Sequence, residues 1–100
     1  MSVAEKKIEM LEQIGAGPIL ERTLSKLIAI QIARYRMAIE QLRPDLAVFE
    51  KRFNMSSEAC YAEFTAGTLG DDGDIFEWVS LYENVLLYQK RLNLLEVSPA

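Results

Sequence analysis

From Leu20 to Leu42, and again from Ile75 to Leu92, apolar side chains return every three or four positions, and nowhere does the chain alternate apolar with polar residues at a period of two. A repeat near 3.6 buries one face of a helix, whereas a half-buried strand needs the two-residue repeat, so the pattern predicts an all-α protein. Breakers divide the chain into segments. Gly15-Ala16-Gly17-Pro18 ends a first amphipathic stretch carrying Val3, Ile8, Leu11 and Ile14, and places a proline near the first turn of the next helix, where a missing amide is no loss. Pro44 has no amide to continue that helix and is expected to stop it at Arg43, leaving Leu46, Phe49 and Phe53 on a short helix of their own. Asn54-Met55-Ser56-Ser57 supplies a turn and a cap, Cys60, Tyr61 and Phe64 mark a further short helix ended by Gly67, and Asp74 with Glu77 three residues on makes an acidic capping pair for the last helix.

The expected architecture is a helical bundle built on a long antiparallel pair, residues 19–43 and 74–95, with three short helices at about 2–14, 45–54 and 57–66. One hundred residues, 50% of them hydrophobic, suffice for a single domain with a modest core.

Each long helix has more apolar surface than one contact can hide. At 100° per residue, Ile75, Trp78, Val79, Leu81, Tyr82, Val85, Leu86, Tyr88 and Leu92 share one broad face of the last helix, while Phe76, Leu87 and Leu94 fall in a narrow second stripe between Glu83 and Lys90 on one side and Ser80 and Arg91 on the other. The earlier long helix repeats the arrangement, with Leu20, Leu24, Leu27, Ile28, Ile32, Tyr35, Ile39 and Leu42 on the broad face and Ile19, Ile30 and Met37 in the stripe. Either the short helices fold back over these stripes or a second chain covers them, because soluble monomers rarely expose contiguous apolar patches beyond a few hundred Å². The candidate partner-binding residues are therefore Ile30, Met37, Phe76, Leu87 and Leu94. Trp78 joins them as an aromatic of the kind that anchors interfaces, although a tryptophan beside Tyr82 on the broad face is more often core.

Composition removes most chemistry. With no histidine and one cysteine, Cys60, the chain lacks a Ser-His triad, a Cys-His zinc cluster and any internal disulfide, and no carboxylate pair has a recommending spacing. No enzyme activity, metal or cofactor is expected. The net charge of −4 and pI near 4.8 disfavour general attraction to nucleic acid or anionic membrane. Arg22, Lys26, Arg36 and Arg43 do share one strip of the long helix and form the candidate nucleic-acid surface, yet no recognition motif accompanies them. The longest apolar run, Leu27 to Ile30, is far below the ~20 residues of a membrane span, and MSVAEKKIEM has no secretory pattern, so a cytoplasmic protein is expected. Asp71, Asp72 and Asp74 lack the ligand order and closing glutamate of a calcium loop and suit a helix N-terminus better.

Residues 49 to 92 carry one more pattern. Phe53-Asn54-Met55-Ser56-Ser57 is followed by Gly67-Thr68-Leu69-Gly70, then DDGDIFEW, then LYENVLLYQKRL. In this the chain resembles a group of small prokaryotic helical proteins that share an FxM(S) turn, a short helix and a GxLGDDxDxFEW signature, several of which are described as antitoxin-like partners of a small toxin-like protein encoded beside them. Gly70, Asp71, Asp72, Asp74, Phe76, Glu77 and Trp78 match the signature, and Gly73 departs from it at the point where the last helix begins. The resemblance implies a protein that holds or neutralises a small basic toxin-like partner rather than a catalyst. Self-association as a homodimer through one of the stripes, or as a purely structural homo-oligomeric subunit, is the alternative that the surface itself suggests.

Overall fold

The structure, a computed structural model, describes residues 1–70 and 72–97. It contains four α-helices, α1 (Val3–Gln13), α2 (Gly17–Phe53), α3 (Ser57–Thr65) and α4 (Gly73–Glu96), and no strand among the described residues. The protein is all-α, and its long antiparallel pair is α2 with α4. One expected boundary is absent. Pro44 lies inside α2, so the segment 45–54 is the second half of one 37-residue helix rather than a separate short one, and two short helices accompany the pair instead of three.

The reason is where the proline points. Pro44 and Glu40 are both exposed, so the Glu40 carbonyl that loses its partner can bind water, while Ile39 before the proline and Leu46 and Phe49 after it are buried and hold the two halves in line. An interior proline costs about 3 kcal/mol relative to alanine in a helix. Part of that cost is offset by the smaller entropy of the unfolded chain, so Pro44→Ala is expected to stabilise the protein by about 2 kcal/mol, read as a higher urea midpoint with an unchanged slope.

Local chemistry sets the remaining ends. Ser2 and Ser56 cap α1 and α3 by accepting from the amides of Glu5 and Ala59. Asn54 closes α2 in the left-handed region at φ 50°, and its own amide and that of Met55 donate to the Glu50 carbonyl. For α4 the cap is Asp72, whose carboxylate accepts from the Asp74 amide at 2.9 Å, and not Asp74 as the spacing predicted. Asp74 sits in the first turn with its carboxylate on Arg52, 2.6 Å away. The helix starts at Gly73, which puts Asp72 where its side chain reaches the first free amides. Asp71 lies outside the described residues.

The molecule is elongated, 60 × 26 × 21 Å, with a radius of gyration of 19.8 Å, against about 13 Å for a compact chain of this length. Two unequal helices cause this. At 1.5 Å per residue α2 is about 55 Å long and α4 about 36 Å. Ion pairs mark the two ends of their contact, Arg52 with Asp74 and Arg36 with Glu96, each at 2.6 Å. Both are exposed and fix register more than they add stability. The core lies at the α3 end, where Leu46, Phe49, Cys60, Ile75, Trp78 and Val79 are buried together. At the other end α1 folds back on the first turns of α2 without burying any of its residues.

Candidate functional site

Trp78 is the centre of the core. It is 1% exposed, stacked between Phe49 and Phe53 at centroid separations of 5.9 and 5.5 Å. Its indole N–H donates to Ser57 Oγ at 2.8 Å, and the Ser57 hydroxyl and amide both donate to Glu50 Oε2, at 2.8 and 2.9 Å. A serine beside a carboxylate invites a catalytic reading, but this hydroxyl is buried, accepts from one neighbour and donates to another, and has no base other than Glu50 beside it. It ties α2, α3 and α4 together. Sequence reasoning named neither Glu50 nor its seven-residue reach to Ser57, because no local period connects them. Trp78 is accordingly corrected from a candidate anchor on the surface to a core residue, its polar end satisfied inside.

The other reactive groups at this end are similarly withdrawn. Burial, and then the charge of Glu63, push the Cys60 thiol above its usual range, so it stays protonated at neutral pH and is a poor nucleophile. Burial likewise raises Tyr82, with Glu58, Glu50 and the Tyr61 hydroxyl adding to the effect. Among the described residues no three of Cys, Asp and Glu converge as metal ligands, and no helix is long and apolar enough to cross a membrane.

The basic strip is partly spent on internal pairs. Arg36 holds Glu96, and Arg43 holds Glu40 at 2.8 Å, which leaves Arg22 and Lys26 as the members without an ion pair among the described residues. Two cations one turn apart are a weak attractor for a phosphate backbone.

The narrow stripes are different, for every candidate on them faces solvent. Ile30, Met37, Phe76, Leu87 and Leu94 are between 41 and 70% exposed, and Ile19 is exposed with them. The short helices do not fold over these residues. Because α2 continues past Pro44, its stripe also gains Val48, eleven positions beyond Met37, a residue the sequence reading assigned to another helix. On α4, Phe76 is steadied on one side by the edge of Phe64, centroids 5.5 Å apart at 84°, and open on the other. Leu94 joins Leu86 and Val97 in a shallow apolar groove at the far end. The broad face of α2 is covered by α4 along part of its length and by α1 only near Leu20 and Leu24, so Leu24 and Leu27, expected in the core, are 40 and 52% exposed.

These geometries describe a body with a satisfied core and several uncovered apolar faces. Compared with protein-family models, with curated proteins and with solved structures, the chain matches none.

Proposed function

We propose that the protein is a non-catalytic, antitoxin-like protein-binding module that works by helix-helix association, holding a small basic protein against the exposed stripe of α4. The observation that carries this reading is the exposure of Phe76, Leu87 and Leu94 together on one side of a helix whose opposite side is core. Eleven and eighteen residues separate Phe76 from Leu87 and Leu94, about 16 and 27 Å of helix, a span suited to a partner helix rather than a small molecule. Charge sets the partner's sign. Residues 71–96 contain six carboxylates and two cations, a net −4, and the stripe itself is flanked by Glu83, Lys90 and Arg91. A cationic partner gains steering from that field, and apolar anchors supply the affinity. The resemblance of residues 49 to 92 to antitoxin-like proteins supports the same reading, and cytoplasmic residence accords with it.

An affinity pull-down from the native host, read by mass spectrometry, identifies the partner. Phe76→Glu and Leu87→Glu, combined, are then expected to weaken its capture at least a hundredfold, since two interface anchors are worth about 2 kcal/mol each. Helicity should persist, because surface substitutions shift stability by only about 0.5 kcal/mol. Loss of helicity instead would make these residues core, and unchanged capture would place the partner elsewhere.

A further inference from the structure

The contact of α2 with α4 is a seam that stops before α2 does. Gln31 and Tyr35 meet Arg91, Leu94 and Leu95 at the last turns of α4, and from there back to Gly17 some fourteen residues of α2, about 20 Å, run on with no helix in α4's place. The apolar positions do not stop with it. Leu20, Leu24, Leu27 and Gln31 continue at spacings of four, three and four, the pattern by which two helices interlock side by side. Leu24 and Leu27 are nevertheless exposed, because α1 lies against only part of this face, near Leu20 and Leu24.

We infer that this open length of seam is filled by the same length of α2 from a second copy of the chain, running antiparallel, with Leu24 of each copy opposite Leu27 of the other. Three observations select a second copy over an unrelated protein. The first is area. The chain exposes 7558 Å², whereas a compact monomer of its mass exposes roughly 5,800 Å². The excess of about 1,800 Å² is summed over the whole elongated chain, the α4 stripe included, and it exceeds the roughly 1,000 Å² per chain at which obligate homodimer interfaces begin.

The second is charge. Residues 1–34 hold five of the 11 basic and four of the 15 acidic residues, a net +1, which leaves six and eleven, a net −5, for the remainder. Two copies meeting through their first thirds therefore bring near-neutral, mixed-sign surfaces together and keep their acidic bodies apart. The third is fit. Two identical open lengths related by a two-fold axis are equal by construction, and closing them sets each α1, with its exposed Met10, Leu11 and Ile14, beside the partner's α2 as the outer pair of a four-helix layer.

This surface is separate from the stripe of α4, so the two readings are tested apart. Size-exclusion chromatography with light scattering at tens of micromolar should give the wild-type protein a mass of two 11.4 kDa chains. Leu24→Glu with Leu27→Glu should give one chain, with Trp78 fluorescence unchanged because that side chain lies in the α3 end of the molecule. Should the glutamates also unwind α2, Leu24→Ala with Leu27→Ala keeps strong helix formers in place and is expected to weaken the dimer at least tenfold. Phe76→Glu with Leu87→Glu should remain dimeric. A wild-type protein that runs as a single chain overturns the inference, whatever other protein it binds. So does a double glutamate variant that stays dimeric, or dissociation by the α4 substitutions alone.

Discussion

Trp78→Ala is expected to lower the unfolding free energy by about 3–5 kcal/mol and the melting temperature by about 15 °C or more. No other side chain does so much at once. Its ring is sandwiched between Phe49 and Phe53 from α2, lies against Val79 and Ile75 of its own helix in the same buried cluster, and sends its one polar atom to α3. Truncation leaves a void among rigid neighbours that the short α3 cannot collapse into, and it also strands the Ser57 hydroxyl without its donor. Domains of this size are stable by about 5–15 kcal/mol in total, so the variant stands near the edge of folding. Trp78→Phe separates the two contributions. It retains most of the stacking surface and loses only the indole N–H, and should cost far less than alanine, with Ser57 still donating to Glu50. Denaturant unfolding followed by circular dichroism gives both values; similar losses for the two variants would mean that the hydrogen bond, not the ring, holds the core.

Glu50→Ala is expected to cost about 2–3 kcal/mol, more than its partly exposed position on α2 suggests. One carboxylate oxygen accepts from both the amide and the hydroxyl of Ser57, and Ser57 is 4% exposed. Removing the acceptor leaves two donors in a place water does not reach, at the first turn of a nine-residue helix. Glu50→Gln keeps an acceptor oxygen and should recover more than half of the loss. A double-mutant cycle with Ser57→Ala measures the coupling directly, with at least 1 kcal/mol expected between the two positions. A coupling near zero would show that α3 is held by Phe64 and Tyr61 against α4 rather than by this tie.

Much of this architecture was legible in the order of residues, because helices are made by short-range chemistry. The 3.6-residue period announced α1, α4 and most of α2, the serines after Asn54 marked the head of α3, and Asn54 and Gly67, both at positive φ, marked the turn before α3 and its end. The narrow stripes could also be found in this way: two apolar arcs on one rod cannot both face the same neighbour, and Ile30, Met37, Phe76, Leu87 and Leu94 all lie outside.

What escaped the sequence depended on which side of an element met which other element. Pro44 is a helix breaker by its own covalent structure, and only packing on both flanks, with the proline turned to water, carries α2 through it. Trp78 lay on the broad face, where a core place was the commoner expectation but an interface anchor stayed open, and the choice was made by two phenylalanines 25 and 29 residues earlier in the chain. Glu50 and Ser57 meet because the α2–α3 turn folds one over the other. The unequal reach of α2 and α4 is the largest of these differences. Local propensity decides where a helix begins and ends, but the burial of its face is a property of the neighbour alongside, and for Leu24 and Leu27 that neighbour is missing from the single chain.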